Sequence, residues 1–280
     1  MEDLDLDSGG VTLSVSDDGE GRPVLLLHGL TATRRYVVMG SRALERSGHR
    51  VIAYDARGHG RSSPALAAGE YRYSDLAADV IAVLDALGIE RAVMAGASMG
   101  GHTLLRVALE APDRVAGVVA MTPAFDPADE LDAALTERRL ARWDSLAGGL
   151  RSGGVSGFLA AYGEPRVPEA WRETVLKVID QRLSLHEHPE AVADALSATP
   201  RSRPFESISE LSRIRVPATI VASGDEADPE HPQAVGEAYA RAIPGAELVL
   251  DEPGKSPVAW QGSQVSKVIA AVAERAFGAL

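Results

Sequence analysis

Seven short aliphatic runs punctuate this 280-residue chain: VTLSVS (11 to 16), PVLLLHG (23 to 29), HRVIAYDA (49 to 56), RAVMAGAS (91 to 98), VAGVVAMT (115 to 122), VPATIVASG (216 to 224) and AELVLDE (246 to 252). Several are apolar without interruption, the pattern of strands covered on both faces. Helical patterns stand between them. In SDLAADVIAVLDALG (74 to 88), Leu76, Val80, Val83, Leu84 and Leu87 share one face, with Ser74 as the expected N-cap and Gly88 as the C-cap. Another helix is expected around 232 to 243, and a last one near 264 to 277 turns Val265, Val268, Ile269 and Val272 inward. Strands alternating with helices specify an α/β protein with a mostly parallel sheet flanked by helices.

Residues 125 to 205 break the alternation. DELDAALTERRLARW, a glycine cluster at 148 to 157 and VPEAWRETVLKVIDQRLSLHEHPEAVADALSA contain no strand pattern. The expected organisation is therefore a core of residues 1–124 and 206–280 carrying a helical lid or cap at 125–205. The glycine cluster reads as a hinge or an ordinary loop. Trp143, Phe158, Tyr162 and Trp171 are candidates either for lining a pocket or for the core of that lid.

Composition narrows the function. Hydrophobic residues make up 45% of the chain, enough for one large core. MEDLDLDSGG carries neither a basic nor an apolar leader pattern, and no later apolar run approaches the roughly 18 residues of a membrane span, so a cytoplasmic location is expected. The absence of cysteine removes disulfides and thiolate chemistry. A net charge of −12 disfavours nucleic acid and anionic membranes as partners and favours a small neutral substrate. No cofactor or metal is called for, and the choice between monomer and homo-oligomer stays open.

GASMG (96 to 100) places Ser98 between two glycines, behind a strand and before a helix, in the GxSxG form that lifts a nucleophilic hydroxyl clear of a sheet. In LLLHGLTAT (25 to 33) a strand ends at His28 and Gly29, leaving the Leu30 N–H free to join that of Met99 around an oxyanion. DARGHGRSS (55 to 63) follows the next strand.

These three stretches, in this order, resemble the α/β-hydrolase family, and the resemblance covers nearly the whole chain outside 125 to 205. It implies an α/β-hydrolase fold with a helical lid insertion. It implies Ser98 as nucleophile, a position that holds an aspartate in the family's epoxide and haloalkane hydrolases. It places the acid in SGDEADPEHP (223 to 232), where Asp228 is the best match and Asp225 a weaker one.

The family's histidine usually follows the last strand in a stretch resembling GHSP, where this chain reads DEPGKSP. Lys255 stands in that slot, and no histidine follows His231. An amine with a reference pKa near 10.4 needs lowering by about three units, roughly 4 kcal/mol, to serve as a base near neutrality. A neighbouring Asp228 opposes that shift, and desolvation under a lid favours it. Only three of the 28 basic side chains are lysines, so a lysine here points mildly to a specific role. Lys255 is thus a base, a fixed positive charge, a relic or a replaced histidine. His102, one turn after Ser98, and His231, just after the acid, are secondary candidates for the base, as is His28 beside the presumed oxyanion site. His59 reads as structural in its loop. His186 and His188 form a weak metal-like pair, better read as a surface helix end.

The expected function is a serine-dependent, esterase-like hydrolase of small, mostly apolar ester, thioester, lactone or activated C–C substrates, working through Ser98, Asp228 and Lys255. The alternatives are a lyase or cyclase that forms no acyl-enzyme, and a non-enzymatic ligand-binding homologue.

Overall fold

The computed structural model describes residues 2–224, 226, 228–252 and 255–278. The chain opens with β1 (Glu2–Ser8), β2 (Val11–Asp18) and β3 (Arg22–Leu27), then α1 (Ala43–Arg46), β4 (His49–Tyr54), α2 (Tyr73–Ala86), β5 (Ala92–Ala97), α3 (Met99–Glu110) and β6 (Val115–Met121). Three helices follow: α4 (Ala133–Tyr162), α5 (Glu169–Leu183) and α6 (Pro189–Ala198). β7 (Ala218–Ala222), α7 (Gln233–Ala242), β8 (Glu247–Leu250) and α8 (Gly262–Phe277) complete it. The eight strands form one sheet in the order β1-β2-β4-β3-β5-β6-β7-β8. β1 and β2, and β2 and β4, pair antiparallel; every later pair is parallel.

Both faces of the sheet are covered, as uninterrupted apolar strands require. On one side α2, α3 and α7 contribute Val80, Val83, Leu84, Leu104, Leu105 and Tyr239 to a buried cluster. On the other, α1 and α8 contribute Leu44, Val265, Ile269 and Val272. Strand β5 feeds both: Ala92 and Met94 face the first cluster, Val93 and Ala95 the second, which is the period of two expected of a central strand.

The structure departs from the sequence reading at three local points. EDLDLDS is a strand: Leu4 and Leu6 alternate with acids and pack against the core, while Gly9 and Gly10, both at positive φ (60° and 89°), make the two-residue hairpin into β2. The N-cap of α2 is Arg72 rather than Ser74. The Asp75 carboxylate, at the third position of the helix, accepts from the Arg72 amide at 2.9 Å. Gly88, at φ 64°, follows the Leu87 C-cap in the left-handed conformation that ends many helices. Finally, the glycine cluster is not a loop but the junction of two helical stretches. It lies inside α4, which bends at Gly154 (φ 58°) so that Gly149 and Gly157 meet; a β-carbon on Gly149 would sit 2.4 Å from the Gly157 carbonyl oxygen.

The helices between β6 and β7 have a small core of their own, formed by Leu146, Leu150, Phe158, Ile179, Leu183, Val192 and Leu196. His186 ties this segment to the sheet loops: its Nδ1 accepts from the Gly60 amide at 2.8 Å and its Nε2 faces the Thr31 carbonyl at 3.3 Å. It is therefore buried rather than at a surface helix end, whereas His188 is exposed beside Glu190. Among the described residues no helix is long and apolar enough to cross a membrane.

Candidate active site

Ser98 sits at the turn between β5 and α3 with φ 49° and ψ −112°, a conformation that an L-residue holds only when its surroundings impose it. The flanking glycines are what make the turn possible. A β-carbon on Gly96 would lie 2.5 Å from the Gly100 carbonyl carbon, and one on Gly100 would lie 2.2 Å from the Leu27 carbonyl oxygen, so neither position tolerates a side chain. The Ser98 amide donates to Met121 at 2.9 Å, locking the elbow to β6.

The two amides expected to hold an oxyanion are those of Leu30 and Met99. Met99 is the first residue of α3, so its N–H has no acceptor within the helix. The Gly29–Leu30 peptide is pinned through its carbonyl, which accepts from Ala32 at 3.0 Å and from His28 Nδ1 at 2.8 Å. His28 Nε2 accepts from the Ala56 amide at 2.9 Å, which leaves the proton on Nδ1. Burial, followed by the neighbouring His59, holds the His28 pKa well below its usual value and keeps the ring neutral. His59 itself faces the Arg57 and Leu30 carbonyls and holds the loop from the far side.

His231 completes the constellation. Its Nε2 lies 3.0 Å from Ser98 Oγ and its Nδ1 lies 2.8 Å from Asp228 Oδ1. The local sequence explains the pairing. Asp228-Pro229-Glu230-His231 is a turn closed by the His231 amide donating to the Asp228 carbonyl at 3.1 Å, and Asp and Pro occupy the positions such turns favour. The first and fourth side chains of this turn emerge side by side. Burial acts to depress the His231 pKa, but the charge and hydrogen bond of Asp228 outweigh it and the net shift is upward. With the Nδ1 proton on Asp228, the Nε2 lone pair is the one that meets the Ser98 hydroxyl.

Lys255 is not brought to this cluster. It lies in the loop after β8, exposed, with its ammonium paired to Glu252 and its amide bonded to the Glu252 carbonyl at 3.0 Å. Desolvating an ammonium is costly, and a carboxylate three residues away keeps it at the surface as a cation. The expectation of a Ser98-Asp228-Lys255 grouping thus gives way to one in which Ser98 and Asp228 meet through His231. Asp225 lies outside the described residues. His102 is turned away from Ser98: Nδ1 meets the Tyr73 hydroxyl at 3.1 Å, and Nε2 accepts from the Ala124 and Phe125 amides at 3.2 and 3.3 Å. Burial, reinforced by His231, lowers its pKa to about 3.

Ser98, His231, Leu30 and Met99 open into a cavity of about 1150 Å³, also lined by Trp143, Phe158, Tyr162 and Trp171. All four aromatic side chains singled out in the helical segment therefore reach the cavity, and Phe158 belongs to the segment's own core as well. Among the described residues no cluster of histidines and carboxylates could hold a metal ion.

Fold and elbow together define a hydrolase. The family model for the alpha/beta hydrolase fold matches residues 22–255, and the chain belongs to that family as an enzyme of hydrolase type. RutD of Variovorax paradoxus (strain S110), named as a carbamate hydrolase, is 33% identical over 214 residues, 76% of this chain and 77% of its own. A thermophilic esterase from Thermogutta terrifontis superposes with a TM-score of 0.75 at 28% identity, covering 97% of each chain. The enol-lactonase of Burkholderia xenovorans does so with a TM-score of 0.71 at 26% identity over 96% of each.

Proposed function

We propose that this protein is a serine hydrolase of small carboxylic esters, thioesters or lactones, in which Ser98, His231 and Asp228 form the catalytic triad. One observation carries the reading: a single imidazole bridges the strained elbow serine and a carboxylate, at 3.0 and 2.8 Å. Relatives named as an esterase and an enol-lactonase support an acyl substrate.

The chemistry follows from the protons. His231 Nε2 takes the Ser98 proton as Oγ bonds to the substrate carbonyl carbon, and the carbonyl π electrons move onto oxygen. The imidazolium so formed is held by Asp228. The Leu30 and Met99 amides face the developing oxyanion, held in place before the reaction so that no reorganisation is needed during it. As the tetrahedral centre collapses, His231 returns the proton to the departing alkoxide or thiolate, leaving an acylated Ser98. Water, deprotonated by His231, attacks this acyl group, and the proton goes back to Ser98 Oγ. Residues 125–205 act as the lid over this site. Lys255 has no part in the reading.

The test is labelling with a fluorophosphonate, read by intact mass and peptide mapping. Wild type should acquire one adduct, on Ser98, and Ser98→Ala none. A folded wild-type protein that takes no label, or takes it elsewhere, would refute the proposal.

A further inference from the structure

The active-site cavity runs against the charge of the chain. The protein carries a net charge of −12, yet five arginines and only three carboxylates line this pocket. Most of these cations are answered or wetted. Arg142 donates to Glu230 at 2.9 Å, Arg139 lies 3.7 Å from Glu130, and Arg35 and Arg166 are exposed.

Arg182, near the end of α5, differs from the others. Among the described residues no carboxylate lies within ion-pairing distance of it, and its Nε, like that of Arg139, is sealed from solvent without a hydrogen-bond partner. The groups that feel its charge are Tyr36, Tyr162, Asp228, His231 and His186, and the first four line the same cavity. The one acid among them, Asp228, is already engaged by His231. A sheltered guanidinium without a counter-ion is costly, and the cost is recovered when an anion reaches it.

We infer that Arg182 binds a carboxylate carried by the substrate, so that this enzyme hydrolyses monoanionic esters, thioesters or lactones rather than neutral ones. One unpaired guanidinium supplies one positive charge in a planar fork, which a carboxylate matches in both charge and shape. A phosphate dianion would bring a second negative charge beside Asp228, where Arg182 supplies only one positive charge. The inference rests on the Ser98 reading of the site, and it replaces the neutral substrate expected from overall charge. Global charge governs what approaches the protein, whereas Arg182 governs what stays in the pocket.

The experiment compares 4-nitrophenyl monoesters of succinate, glutarate and adipate with their methyl-capped neutral twins. In wild type, kcat/KM should favour the best anionic ester over its twin, and in Arg182→Met that ratio should fall by about tenfold or more, with Arg182→Lys between them. Because methionine removes a desolvated charge while filling similar volume, Arg182→Met should melt no lower than wild type. Titration calorimetry of Ser98→Ala with the same pairs reads the preference without turnover. An unchanged ratio in Arg182→Met, or equal binding of the twins to Ser98→Ala, would overturn the assignment, and a lowered Tm with an unchanged ratio would make Arg182 structural instead. Full hydrolysis by Ser98→Ala would instead sink the serine mechanism, leaving the anion preference to be decided by the Arg182 comparison.

Discussion

His231 reaches Ser98 from the loop that also carries Asp228, three residues away, so that imidazole and carboxylate arrive on one turn after β7. The loop after β8, where the family usually keeps its histidine, presents Lys255 to solvent instead. With both partners on a single turn, the orientation of the imidazole depends on local backbone geometry rather than on the docking of two separate loops. This makes the pair a compact unit whose contributions can be dissected residue by residue.

Replacing His231 should therefore remove most of the activity and replacing Lys255 very little. His231→Ala should lower kcat on an activated aryl ester by about 10²–10⁴-fold, the range expected for loss of a positioned general base. Lys255→Met should stay within about twofold of wild type, because an exposed ion pair contributes little to stability or to the site. Steady-state kinetics on the two variants checks this; the opposite ranking would return the lysine to the mechanism.

The base must be neutral to work, and Asp228 raises its pKa. Both kcat/KM and the rate of Ser98 labelling should rise with pH through an apparent pKa above 6.5 and then level off. Asp228→Asn removes the charge that favours the imidazolium, so the inflection should move to lower pH while the plateau rate falls. A pH–rate profile of both proteins is the measurement, and an inflection unmoved by the substitution would separate Asp228 from His231.

Stability should fall in acid. Burial lowers the pKa of His28 well below 6.5 and those of His102 and His186 to about 3, so the unfolded chain binds more protons than the folded one between about pH 6.5 and 3. Each such group removes up to about 1.4 kcal/mol per pH unit across that window. His231, with a raised pKa, acts in the opposite sense: its contribution is complete below the unfolded value and is lost as pH rises through the folded one. His59, also lowered by burial, is a fourth such group; four outweigh one, and the Tm should drop steadily as pH is lowered from 6.5 towards 4. Thermal melts across that range would show it, and a flat profile would contradict the buried neutral histidines.

Gly100→Ala should be more damaging than its size suggests. The added β-carbon would meet the Leu27 carbonyl oxygen at 2.2 Å, and that oxygen belongs to the backbone of a central strand. A loss of about 3 kcal/mol is expected from overpacking that the strand cannot relieve. Urea denaturation gives the value directly. Gly148→Ala, where nothing lies within 4 Å of the new β-carbon, should be neutral or stabilising and serves as the control.

Much of this molecule was legible in its sequence because the controlling interactions are local or periodic. Continuous apolar runs separated by helical patterns dictate a sheet covered on both faces, and GASMG dictates an elbow because only glycine fits at positions 96 and 100. Two further local signals were weaker. Alternating leucines and acids before Gly9-Gly10 spell a hairpin strand, but the high charge masks the period of two. Asp228-Pro229-Glu230-His231 spells a turn that sets an acid beside a histidine, which made His231 a candidate only behind Lys255 in the family's usual slot.

What the sequence by itself determined was the fold family and the glycine-flanked turn that carries Ser98. Which histidine lies against Ser98 was decided only by tertiary structure, because Ser98 and His231 are 133 positions apart and meet at the ends of β5 and β7. The isolation of Arg182 is likewise a property of the packed cavity. No pattern along the chain records which cation the fold leaves without a partner, since pairing depends on which carboxylates the other elements bring within reach.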